Sequence, residues 1–258
     1  MSLEFIFFQI LLFSVAILAN LLSALAGGGA GLVQLPILIF LGLPFNIALA
    51  THKVASVSLG FGATVRHLQS RKLDFKLSLF ILLSGLPGVY LGSQTALYLS
   101  NKFSSILLGL LTLFLGFYSL RRPNLGLQDR EVKLDKINFY FGGLVLFFIG
   151  FLNGSLSSGT GLFVTMWLVH WFRLTYTNAV AYTLILVGLF WNGTGAFVLG
   201  FGGQIMWEWI PMLFVGSLIG GYLGADLSLL KGNTFVKKIF ENISVLMGIS
   251  LIARGFLN

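Results

Sequence analysis

The 258-residue chain contains no cysteine, which excludes disulfides, thiolate metal sites and cysteine nucleophiles. Charge is scarce too: Asp, Glu, Lys and Arg make up 9% of the residues, against about 25% in a typical soluble domain. With 57% hydrophobic residues, 26 Phe and a mean hydropathy of +0.93, the chain reads as an integral membrane protein. No polar stretch is long enough for a soluble domain, leaving one membrane domain over 1–258. The eight acidic residues lie mostly in connections, which argues against carriage of a metal cation. No G-K-[ST] follows the glycines at 27–31, so no nucleotide-binding loop is present, and energy must come from a gradient or a partner. The net charge of +8 calls for no nucleic acid, because the basic residues sit between apolar blocks as the positive-inside rule describes. No cofactor, metal or catalytic residue is expected; the serines of GSLSSGTG at 154–161, with His52 and His170 elsewhere in the chain, are explained more cheaply as hydroxyl donors at a helix break than as part of a protease. The stretch SALA-GGG mimics a signal cleavage site, but the segment before it carries Glu4 and no Lys or Arg, and is expected to stay as a membrane helix.

What the sequence does have is a weak, collinear duplication. At an offset of 132, YLGSQ at 90–94 faces YLGAD at 222–226, and Asn101, Gly116 and Arg122 face Asn233, Gly248 and Arg254. At 130, GGGAGL at 27–32 faces SSGTGL at 157–162; at 131, ALAT at 48–51 faces AVAY at 179–182. Repeat 1 covers 1–122 and repeat 2 covers 137–258, joined by a linker at 123–136. Each copy holds five apolar elements, predicted at 5–26, 32–42, 47–64, 77–97 and 103–120, then at 137–156, 162–172, 179–200, 207–227 and 234–253. The second element of each is too short for a hydrocarbon core of about 30 Å, so elements two and three are expected to form a hairpin that dips in and returns.

That gives each copy an odd number of passages and predicts two inverted repeats in an all-α polytopic membrane protein with short broken or re-entrant segments. Loop charge agrees: the loop after element three is RHLQSRKLDFK in the first copy and GFGGQIMWEW in the second. With the linker placed in the cytoplasm, every Lys and Arg except Lys102, Arg254 and the intramembrane Lys53 falls on the cytoplasmic side. The expectation is a multi-pass protein of the cytoplasmic (inner) membrane with both termini outside. Its partners are the lipid bilayer and a small anionic substrate; a homo-oligomer is compatible with the sequence.

The broken segments mark the expected site. Glycine-interrupted short helices at matching positions of inverted repeats point to a transporter binding site, because a break frees backbone groups that hydrocarbon cannot satisfy and a polar solute can. The exposed helix N-termini favour an anion. The expected substrate-binding residues are Gly28, Gly29 and Gly31 of the first break, Ser157, Ser158, Gly159 and Thr160 of the second, and Thr51, His52 and Lys53 on element three. Lys53 lies at membrane depth without an acidic neighbour in sequence, so its countercharge is assigned to the ligand; His52 and Lys53 are the candidates for a proton carried with it. Duller readings stand beside these: glycines that only let helices approach closely, a Lys53 that snorkels to an interface, and a His52 that is a satisfied polar residue in the bundle. Asp226 is expected to be solvated at a helix end, and Trp167, Trp171, Trp207 and Trp209 to be interfacial anchors.

The run GGGAGLVQLPILIFLGLPFNIALAT, with Pro36, Gly42, Pro44 and Thr51, followed by a basic loop and then by the same plan again, resembles the TauE/SafE sulfite exporter family of membrane permeases over essentially the whole chain. The resemblance implies a secondary transporter for small sulfur-containing anions such as sulfite, thiosulfate or sulfonates. An anion channel is the alternative, and a membrane cation or metal transporter a weaker one. The His52-Lys53 pair replaces small or neutral polar residues expected after Thr51, and the second break is rich in serine. Both departures bear on which anion fits.

Overall fold

The computed structural model describes residues 3–70, 73–96, 101–128, 136–157, 159–201 and 205–257. Helices joined by short turns make up the described residues, with no strand among them. In order, the elements are α1 (Leu3–Ala26), α2 (Ala30–Phe40), α3 (Phe45–Ser70), α4 (Phe75–Thr95), α5 (Asn101–Leu120), α6 (Lys136–Leu156), α7 (Thr160–His170) and α8 (Tyr176–Tyr182). A π-helical segment (Thr183–Trp191) continues α8 into α9 (Asn192–Gly200), and α10 (Ile210–Leu257) closes the chain. Within α10, Gly232 has φ 75° and ψ −176°, so the helix consists of two arms, 210–231 and 233–257. Helix ends fall within a few residues of those predicted, except that α3 extends from 47–64 to Phe45–Ser70.

Among the described residues, five helical stretches are long and apolar enough to cross a membrane: Leu3–Ala26, Phe75–Thr95, Phe139–Leu156, Tyr176–Gly200 and Ile210–Phe256. Their outward faces carry large apolar side chains, among them Leu18, Leu83, Phe148 and Leu246, which a bilayer covers at no cost. The short helices α2 and α7 have 11 residues each, about 16 Å of rise. By contrast α3, with 26 residues, is about 39 Å long. The expected pairing of elements two and three as a dipping hairpin is therefore corrected. The interior reversals are the breaks before α2 and α7, while the α2–α3 turn packs Leu43 with Leu12, Trp209 and Leu213 at the end where α1 and α10 begin. Polar residues lower the hydropathy of α3, yet they face the interior, where Ser58 Oγ donates to Phe214 O at 2.6 Å.

In hydrocarbon, helices gain little from burying apolar surface, so association rests on close packing. Glycine supplies it here. A Cβ at Gly88 on α4 would lie 2.1 Å from Phe147 O of α6, and one at Gly220 on α10 would lie 2.5 Å from Ile17 O of α1. Element four of each half thus rests on element one of the other. Likewise α5 and the second arm of α10 meet at Gly109 and Gly248, each facing the other's carbonyl oxygen.

One end of the bundle gathers the basic connections. Arg66 pairs with Asp226, so that carboxylate is engaged in an ion pair as well as partly solvated. Lys237 Nζ donates to Arg122 O at 2.6 Å and Ser119 O at 3.1 Å, and stands 3.3 Å from Glu241. Tyr176 N–H, at the start of α8, donates to Gly126 O at 2.9 Å.

Because backbone atoms leave no room at these crossings, Gly88→Val and Gly220→Val should each destabilise by at least about 1–3 kcal/mol, the usual range for overpacking. Gly193→Ala, whose Cβ would meet only Val57 at 3.9 Å, should leave stability unchanged. Thermal unfolding in detergent checks this; equal shifts for all three would overturn the close-packing account.

Candidate functional site

The first break consists of Gly27, Gly28 and Gly29, all with positive φ (80°, 130° and 103°), and Gly29 caps α2. The second uses Ser157 at φ 59° and Gly159 at 74°, and Gly159 caps α7. Each new helix opens with the same turn: Leu32 N–H donates to Gly29 O and Leu162 N–H to Gly159 O, both at 2.9 Å. The two breaks cross in contact. A Cβ at Gly28 would lie 2.5 Å from Gly161 Cα, and one at Gly161 would lie 2.7 Å from Gly28 Cα. Only glycine on both sides lets the backbones approach so closely.

Between them lies a cavity of about 40 Å³, lined by Gly28, Gly29, Ala30, Gly31, Ser157, Thr160 and Gly161 from the breaks. Its remaining polar wall is His52 and Ser56 on α3, Ser23 on α1, Asn153 on α6, and Thr183 and Asn192 from the π-helical segment and the start of α9. Corresponding positions of the two halves face each other across it: Ser23 and Asn153 match at an offset of 130, and His52 and Thr183 at 131. Among the described residues no acidic side chain lines it. Among the described residues no group of His, Asp or Glu could hold a metal ion.

Backbone groups freed by the breaks find partners. Gly28 N–H donates to Ser23 O at 2.8 Å, and the Thr165 hydroxyl donates to Gly27 O at 2.6 Å while standing 2.9 Å from Thr183 Oγ1. Thr160 Oγ1 donates to Ser157 O and accepts from Asn153 Nδ2, both at 2.9 Å. The polar wall is thereby fixed on both sides of the crossing.

Lys53 is fully buried and reaches no interface, which overturns the snorkelling alternative. Nor does it line the cavity. Its ammonium stands behind the wall, donating to Asn153 O at 2.8 Å, Asn153 Oδ1 at 3.2 Å and Asn192 Oδ1 at 3.3 Å. Gly195 makes room for its stem, since a Cβ there would lie 2.5 Å from Lys53 Cδ. At an offset of 131 the residue facing Lys53 is Leu184, so the cation belongs to one half only. The His52 ring is held at Nδ1 by Gln34 Oε1, 2.7 Å away, and at Nε2 by Ser56 Oγ at 3.2 Å.

Of the expected site residues, the structure brings Gly28, Gly29, Gly31, His52, Ser157 and Thr160 together around the cavity, with Gly159 at the cap beside it. Thr51 is elsewhere: its hydroxyl accepts Met206 N–H at 3.0 Å, tying α3 to the stretch before α10. Ser158 lies outside the described residues. Sequence reasoning missed Ser23, Ser56, Asn153, Thr183 and Asn192. The asparagines had a signal, since Asn153-Gly154 and Asn192-Gly193 put the same polar pair inside two apolar segments.

The profile of the family described as "Sulfite exporter TauE/SafE" matches residues 12–251. A Haemophilus influenzae protein named "Probable membrane transporter protein" is 30% identical over 94% of this chain and 93% of its own length. The "Probable membrane transporter protein YfcA" of Escherichia coli K12 is 26% identical over 93% and 88%. For "Probable membrane transporter protein YunE" of Bacillus subtilis the figures are 24%, 95% and 98%. No solved structure matches.

Asn153→Leu should leave the Lys53 ammonium short of acceptors, at a cost of about 1–3 kcal/mol or more for a buried charged group. The double variant Lys53→Met/Asn153→Leu should recover most of that loss in thermal unfolding. Additive losses would mean that the two residues are not coupled.

Proposed function

The chain belongs to the TauE/SafE sulfite exporter family and is a membrane transporter, not an enzyme, and from that premise we propose that it carries a small sulfur-containing oxyanion across the cytoplasmic membrane. The observation that carries this reading is the chemistry of the central cavity: hydroxyl, amide and helix N-terminal donors, no lining carboxylate, and one buried cation behind the wall. On this reading the positive ends of the α2 and α7 helix dipoles face the anion, and the Ser157 and Ser56 hydroxyls replace part of its water. Lys53 need not touch the anion. By engaging the Asn192 carbonyl it leaves the amide donors of that side chain for the ligand, and it supplies the positive potential that selects the sign of charge.

Size narrows the class. On the same measure a water needs about 10–15 Å³, so the cavity has room for about three waters. That suits sulfite better than a sulfonate with an organic arm. The transport model is alternating access, with the two halves rocking around the glycine crossing as inverted repeats do. The exchange of elements between halves, four of each on one of the other, supports this arrangement. The clustered basic connections support a cytoplasmic face at that end of the bundle, with both termini on the opposite face.

Sulfite should raise the melting temperature of the purified protein by mass action, and taurine should do so less or not at all. Gly29→Val and Gly159→Val should abolish the sulfite shift, and Lys53→Met should weaken binding by about tenfold, the equivalent of about 1.4 kcal/mol. A sulfite shift that survives all three variants would remove the site from this cavity. Counterflow in reconstituted vesicles distinguishes a carrier from a channel.

Orientation has its own test, made simple by the absence of native cysteine. Single cysteines at Ser70 and Phe201 should react with an impermeant maleimide from opposite membrane faces. Labelling from the same face would overturn the inverted arrangement.

A further inference from the structure

At the basic end of the bundle, where α5, α6 and α7 meet, two hollows adjoin. One, of about 530 Å³, is rimmed by Arg121, Arg122 and Arg173 around the backbone of residues 123–126. The other, of about 420 Å³, is an apolar groove whose walls include Leu111 and Phe114 of α5, Val145 and Ile149 of α6, and Phe163 of α7. They join at Tyr118: the Arg122 guanidinium lies 4.8 Å over its ring, and its hydroxyl is 2.8 Å from His170 Nδ1 on the groove's far wall. Among the described residues no acidic side chain lines either hollow.

Arg173 carries a second observation. It sits at φ 57° just after α7, where Leu174 N–H closes on Leu168 O. The end of α2 closes in the same manner, one residue tighter, and there the left-handed position is Gly42 at φ 103°. Left-handed backbone is disfavoured for a side chain with a Cβ, so arginine is strained where the matching site of the other half uses glycine. The side chain it retains is the third cation on the rim.

We propose that the paired hollows bind an anionic phospholipid, with its phosphate on the three arginines and an acyl chain in the groove between α5, α6 and α7. A free phosphate would use only the charged hollow and leave the adjoining apolar one without a role. Leu111 and Phe114 are exposed on a membrane-facing helix, where hydrocarbon is the natural cover. Basic pockets at the cytoplasmic ends of membrane helices are matched by the negative charge of that leaflet. The stacked pair Trp167 and Trp171, with ring centroids 4.9 Å apart, sits beside the groove as interfacial aromatics do. Such a lipid would bridge α5 of the first half to α6 and α7 of the second.

The test is thermal unfolding of delipidated protein titrated with dioleoylphosphatidylglycerol, dioleoylphosphatidylcholine or inorganic phosphate. The phosphatidylglycerol should stabilise, and the other two should not. Arg173→Gly should keep or raise the unliganded melting temperature, because it relieves the strained backbone, yet weaken phosphatidylglycerol binding about fivefold; Arg122→Gln should weaken it similarly. Leu111→Trp, which fills the groove from its exposed side, should also weaken it. Equal stabilisation by phosphatidylcholine would overturn headgroup recognition, and equal stabilisation by phosphate would make this a free-anion site. Insensitivity to the arginine and Leu111 variants would overturn the location. A dimer that Leu111→Trp dissociates, without any lipid response, would assign the groove to a second copy of the chain.

Discussion

A backbone N–H or C=O left unpaired in hydrocarbon costs several kcal/mol, and this constraint governs the centre of the protein. The chain breaks its helices twice inside the bundle, so it must bring those two places together and line them with groups that satisfy what the breaks release. Thr165 answers Gly27 O, Ser23 O answers Gly28 N–H, and Thr160 answers Ser157 O. The close approach of Gly28 and Gly161 follows, and so does the need for small residues where the supporting helices cross. A polar cavity is what remains between them.

Lys53 is the most expensive group in this arrangement. A buried ammonium without a carboxylate partner is tolerated only when several oxygens replace its water, and Asn153 and Asn192 provide them. Those asparagines also form the cavity wall, so the stabilisation of the cation and the shape of the site are one network. The π-helical segment contributes to the same wall. Its wider turn interrupts the ordinary helical ladder beside the cavity, and its end presents Asn192 toward Lys53.

Much of this was legible in the sequence, for identifiable reasons. Helix extents follow from apolar run length, and the breaks announce themselves because GGGAG and SSGTG recur in register. His52 and Lys53 stand out because polar residues are rare in such segments. Other features depend on what packs against them. Nothing local separates Thr51, which serves the 206 backbone, from Ser56, which faces the cavity; one turn of α3 decides it. Apolar run length also misplaced the hairpin, because α3 continues as a helix through polar residues that are satisfied within the helix and by tertiary partners. The π-helical geometry has no composition signal in TLILVGLFW and arises where Gly60 and Gly188 press together.

The unequal occupancy of matching positions, Lys53 in one half and Leu184 in the other, bears on energetics as well as recognition. In a carrier whose halves exchange conformations, identical halves would give two end states of equal free energy, and an empty protein would divide itself evenly between them. In such a carrier a single buried cation held by asparagines of the opposite half would remove that degeneracy, because the exchange would move Lys53 into surroundings shaped for Leu184. Under the proposed alternating access the unloaded molecule would then have a preferred resting side, and Lys53 would contribute to it.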